Sequence, residues 1–161
     1  MSINPRLRTV GTILTMTSVD DGKEVLPFYS ARGLNQTLEP VDAAMYQRQT
    51  INFEQVDLSV PRSRKYKTVI SASDIQPPTR DDVWPGRVVL IGCAARLRYV
   101  TIGGSPLRTP ISGSQQVEEG SIFTSYLPLI TFMLGKPEWS FDEWRAGYRW
   151  SIPATEVIAP G

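Results

Sequence analysis

Thirteen prolines and 12 glycines are scattered along the 161 residues, and this punctuation limits the fold more than any other feature. Proline removes a helical hydrogen bond and glycine weakens a helix interior, so few windows are left for a long helix. Between the breaks lie short runs rich in Val, Ile, Thr, Tyr and Trp, which pack well on a pleated surface. Residues 10–19 (VGTILTMTSV) read as a strand, stopped by the turn Asp20-Asp21-Gly22-Lys23. A return strand over 24–30 contains Pro27, which marks an edge or a bulge. Residues 31–42 read as irregular. A hairpin about Asn52-Phe53 joins 43–52 to 54–60, with a short helix over 40–48 as the competing reading.

Further strands are expected over 66–73 and across 84–100, where a Trp84-Pro85-Gly86 turn feeds one long run. Its first half is apolar on both faces, and its second half sets Cys93, Ala95, Leu97 and Tyr99 against Arg96 and Arg98. One or two strands follow over 122–134 around Pro128, and Lys136-Pro137-Glu138 reads as a turn. In 143–153 (EWRAGYRWSIP), Trp144, Ala146, Tyr148, Trp150 and Ile152 alternate with Arg145, Gly147, Arg149 and Ser151. Period-two alternation belongs to a half-buried strand, so those aromatics are expected to face a core, with Arg145 and Arg149 facing solvent or a neighbour. The sum is an all-β chain: an antiparallel sandwich or barrel of roughly seven to nine short strands with extended termini. A single β domain is expected over 1–161, with an N-terminal arm at about 1–9 and a C-terminal tail at about 153–161.

Chemistry is bounded mainly by what the chain lacks. It has no histidine, which removes Ser-His and Cys-His nucleophiles and His-ligated zinc or haem. Its one cysteine, Cys93, rules out an internal disulfide and sits where a small buried hydrophobe is expected. No apolar run approaches the roughly 20 residues of a membrane helix. The opening MSINPRLRTVGTILTM is interrupted by threonines and glycine, so no signal peptide is read and the chain is expected to act where it is made or assembled.

Net charge is only +1, and the 17 basic residues are 13 arginines and four lysines. Arginine forks suit protein contacts as well as phosphate. The densest basic run, residues 61–67 (PRSRKYK), holds Arg62, Arg64, Lys65 and Lys67 around Tyr66. A nucleic-acid-binding β-barrel would place these beside Arg96 and Arg98 on one face; the near-neutral balance points instead to a solvated loop and a charged strand edge. With Arg145 and Arg149, these residues form the candidate interface. The acidic pairs Asp20-Asp21, Asp81-Asp82, Glu118-Glu119 and Asp142-Glu143 all lie beside turns and match no calcium-loop pattern. A carboxylate-based glycosidase or lyase would need two acids facing each other across a groove holding Trp84 or Trp139. Gly103-Gly104-Ser105-Pro106 lacks the phosphate-loop pattern. No catalytic, cofactor or metal residue is expected, and none of the signals calls for an enzyme.

Several stretches together resemble a known group. They are SARGLNQTLEPVDAAMYQRQTINFEQVDLS (30–59), RKYKTVISASDIQPP (64–78), DDVWPGRVVLIGCAARL (81–97) and SFDEWRAGYRWSI (140–152). They are similar to small virion structural proteins of tailed bacteriophages, across about two thirds of the chain. Where that group has F-D-E-W-G-A, this chain carries Arg145 in place of the glycine, and its 112–134 region departs from the pattern. The resemblance implies a structural protein present in many copies in the tail or head–tail neck, or as a decoration of the capsid. Its partners would be other copies of itself and other virion proteins, with no membrane and no cofactor. It would be made in the host cytoplasm and located in the virion. None of the shared blocks is a catalytic motif.

Overall fold

The computed structural model describes residues 14–26, 34–41, 47–58, 64–74, 82–145 and 147–157. The expected N-terminal arm, Arg62 and the last residues of the tail lie outside them. The described residues form strands and no helix, in the order β1 (Thr15–Ser18), β2 (Asn35–Pro40), β3 (Gln47–Gln49), β4 (Gln55–Asp57), β5 (Tyr66–Asp74), β6 (Val88–Gly92) and β7 (Leu97–Val100). Then come β8 (Thr109–Pro110), β9 (Gln116–Val117), β10 (Phe123–Tyr126), β11 (Pro128–Leu134), β12 (Glu138–Asp142) and β13 (Gly147–Glu156). An eight-stranded sheet runs β1-β6-β11-β13-β5-β2, with β8 added beside β11 and β12 beside β13. A three-stranded sheet runs β7-β10-β9, and β3 and β4 pair only with each other. The architecture is all-β and antiparallel, sandwich-like without being a closed barrel.

Alternation builds the core on one face of the large sheet. Thr68, Ile70 and Ala72 of β5 stand opposite Ala154, Ile152 and Trp150 of β13, and all six are buried. Ile130 and Phe132 of β11 then meet Ile91 and Val89 of β6, and Met16 of β1 meets Ile91. Each of these large apolar side chains contributes roughly 1.5–3 kcal/mol by leaving water. The sheet curls until Gln36 on its β2 edge reaches the chain just past β6. The Gln36 Oε1 accepts the Ala94 and Ala95 N–H groups at 2.7 and 3.1 Å, and its Nε2 donates to Thr68 Oγ1 at 3.2 Å. A side chain, not a backbone ladder, bridges the gap.

Strands β11 and β12 act as one bent strand along β13. Leu134 faces Ala154 and Glu138 faces Ser151, so four residue steps oppose three. The extra residue is a β-bulge. It moves the inward side chains from even positions in β11 to Trp139 and Phe141 in β12. Gly135 donates its N–H to Pro153 O at 2.7 Å, and a Cβ there would lie 3.1 Å from the Pro153 ring, close enough that the ring would have to give by a few tenths of an ångström.

Several expectations are corrected. The described residues form thirteen strands, against the roughly seven to nine expected, because short pairings and two unexpected strands add to the count. The segment read as irregular contains β2, whose Leu38 faces the core. No helix extends over 47–48, where β3 begins, whereas the hairpin to β4 is present. Residues 84–100 do not form one strand. The chain leaves the large sheet after Gly92, where the Gln36 side chain takes the next two amides, and restarts as β7 in the other sheet. Of the return strand after the first turn, the described part makes a single bridge, Thr17 with Glu24. Glu138 begins a strand and is not the end of a turn. The tail expected from 153 is strand as far as Glu156, held between β5 and β11.

Candidate functional site

Charged residues singled out in the sequence are distributed over separate elements. Lys67 on β5 lies 3.9 Å from Glu39 of β2. Arg64 is exposed, and its carbonyl accepts from Arg108 Nη2 at 2.8 Å; Lys65 is half-buried, and its carbonyl accepts the Val41 N–H. Arg98 on β7 pairs with Glu118 at 2.9 Å, and Arg96 donates to Ser114 O and Ser125 Oγ. The two basic groups therefore sit on different sheets. Arg145 lies in the β12–β13 turn near Asp142, while Arg149 stands on the outer face of β13.

The opening aromatic row divides. Trp150 and Ile152 are core, as expected. Tyr148 is half-buried with its ring 4.7 Å from that of Phe141. Trp144 is 97% exposed, a correction: the strand starts only at Gly147, and Asp142 Oδ1 accepts the Trp144 and Arg145 N–H groups to form the turn. Trp150 carries a further peculiarity, since its indole N–H is buried with no acceptor among the described residues.

Sequence reasoning missed Arg108 and Glu156. Arg108 Nε and Nη2 donate to the Glu156 carboxylate at 2.7 and 3.0 Å, the Tyr66 N–H donates to it at 2.8 Å, and the Arg108 guanidinium lies 5.2 Å from the Tyr66 ring centre. The signal was available: Glu156 continues the inward series Trp150, Ile152, Ala154. Arg87 is a second hub, donating to Ser18 Oγ, Asp82 and Asp21. The Lys23 N–H on the Asp21 carboxylate is the main cause of a pKa below the usual carboxylate value, with Ser18, Arg87 and Lys23 side chains acting in the same direction. Cys93 is fully buried, and burial pushes its thiol up to about 11.

Two projections leave large apolar groups in water. Every residue over 47–58 is exposed, with Ile51 at 98% and Phe53 at 81% on the β3–β4 tip. Phe53 has φ 65, a left-handed backbone rare for a bulky residue. Trp144 caps the second projection, the β12–β13 hairpin.

No family model, curated protein or solved structure matches the chain.

Two adjoining hollows of about 490 and 440 Å³ lie along β12 and β13. Trp139 and Glu138 line the first, and Asp142 and Glu143 the second. This is the setting that a carboxylate glycosidase would require around Trp139. Glu138 and Asp142 share one face of β12, four strand rises of roughly 3.4 Å apart, or about 13 Å. Paired glycosidase carboxylates stand about 5–10 Å apart, against about 13 Å between these two backbone positions. Among the described residues no cluster of three or more metal-binding side chains occurs, and no helix is long and apolar enough to cross a membrane.

Proposed function

We propose that this chain is a virion structural protein of a tailed bacteriophage, working by assembly in many copies in the tail or head–tail neck. The observation that carries the proposal is the β3–β4 arm. Its tip holds Phe53 in a left-handed backbone and, with Ile51, in water. Such a backbone costs on the order of 1–3 kcal/mol, set against turn hydrogen bonds from the Phe53 N–H to Thr50 O and from Gln49 Nε2 to Phe53 O. A two-stranded hairpin is itself marginal in water. Docking against a neighbouring subunit would recover roughly 1.5–3 kcal/mol for each large apolar side chain buried. Symmetry then multiplies modest contacts into a stable particle. The resemblance of the sequence blocks to phage structural proteins supports the virion setting.

Capsid decoration would use the same arms and differs in copy number. A nucleic-acid role draws less support, because Lys67, Arg96 and Arg98 already have intramolecular partners. Mass spectrometry of purified virions with copy counting is the deciding experiment. A count set by one ring of subunits supports the tail or neck, and a count near the capsomer number supports decoration. Absence from virions would remove the proposal.

A further inference from the structure

Arg149 differs from most of its kind in this chain. Of the arginines among the described residues, only Arg149 and Arg64 have side chains without a hydrogen bond or ion pair there. Sheet register explains why. On the outer face, the two cross-strand neighbours of Arg149 are Ser140 of β12 and Ser73 of β5. Along its own strand the flanking positions are Gly147 and Ser151. All four nearest positions therefore carry a hydroxymethyl group or hydrogen, and none can neutralise a guanidinium. Short side chains also leave space. Both hollows, about 490 and 440 Å³, are lined by Arg149 and Ser140, so the arginine stands where they meet. Charges of both signs rim the basin: Lys136 and Glu138 toward one end, Asp142, Glu143 and Arg145 toward the other.

We propose that this basin binds an acidic saccharide, with the sugar carboxylate on Arg149. The guanidinium fork matches a carboxylate bidentately. Serine hydroxyls can donate or accept, which suits the dense mixed hydroxyls of a sugar. Glu138 and Asp142 accept hydrogen bonds from sugar hydroxyls but repel a second anionic group, which disfavours acidic peptides and nucleic acid. A ligand with one negative charge among many hydroxyls fits the lining better than a polyanion does. This inference is independent of the assembly proposal, since the basin lies on the outer face of β12, β13 and β5 and uses neither Ile51 nor Phe53.

The test is calorimetric or NMR titration of the full chain with sialyllactose and with a hyaluronan tetrasaccharide, using neutral lactose as control. Saturable binding of at least one acidic sugar is expected, with none for lactose. Arg149→Gln should weaken it by about tenfold or more, the loss of a charge-assisted contact, while Arg64→Gln leaves it unchanged. Arg149 is exposed, so the variant should fold; an unchanged thermal transition checks this. Ser140→Val provides a second route by removing a floor hydroxyl while keeping the charge, and should also weaken binding. Failure of both acidic sugars to bind, binding unchanged by Arg149→Gln, equal binding of lactose, or tighter binding of a glutamate-rich peptide would each overturn the proposal. Absence of the unaltered chain from virions, with sugar binding intact, would count against the assembly proposal alone.

Discussion

Arg108 Nε lies 2.7 Å from the Glu156 carboxylate, and the two side chains, 22% and 13% exposed, close one end of the core. Glu156 ends the inward row of β13 opposite Phe132, where a lone carboxylate would be costly. Arg108→Ala should therefore destabilise the chain by about 3 kcal/mol, read from urea unfolding. Pairing Arg108→Met with Glu156→Leu should restore most of that loss, because no charge is then left buried. A double variant no more stable than Arg108→Ala would contradict this account.

Trp150 is buried for its shape and not for its polar atom. With no acceptor for its indole N–H among the described residues, Trp150→Phe forfeits no hydrogen bond there. We expect a cost of about 1 kcal/mol for Phe and 3–5 kcal/mol for Ala, by the same denaturation measurement.

Phe53→Asn separates stability from assembly. Asparagine tolerates a positive φ, so local strain falls while the apolar tip disappears. The melting temperature should hold or rise slightly. Incorporation into particles, measured by complementation and virion sedimentation, should drop sharply.

Cys93 should resist alkylation in the native state at pH 8, because burial holds its thiol protonated up to about 11, against 9.0 when free. The sign follows from linkage. A raised folded pKa means that this contribution to stability is complete below pH 9 and is lost as pH rises toward about 11. Iodoacetamide labelling followed by mass spectrometry checks the first statement, and unfolding across that range checks the second.

Much of the molecule can be read from single-strand patterns. Residues 66–73 and the row Trp150–Ile152 alternate strictly, and each proved to be a strand with its apolar face inward. The hairpin of β3 and β4 followed from its turn. One failure came from a pairing partner distant in sequence and another from a local turn. Residues 35–40 (NQTLEP) look irregular because β2 carries little apolar surface; pairing with β5 makes them a strand. Trp144 looked like the start of an inward row, yet Asp142 binds the amides of Trp144 and Arg145 and turns the chain before the strand begins.

Composition and period-two spacing by themselves determined the strand-rich class, the aliphatic core rows and the absence of histidine chemistry, since these depend on residue type and local alternation. Only the tertiary structure decided that Gln36 of β2 takes the amides just past β6, that Arg108 answers Glu156, and that Arg149 stands among serines. Those relationships are set by register and curvature between segments far apart in the chain, and a one-residue bulge between Gly135 and Glu138 was enough to reassign every side chain of β12 to its opposite face.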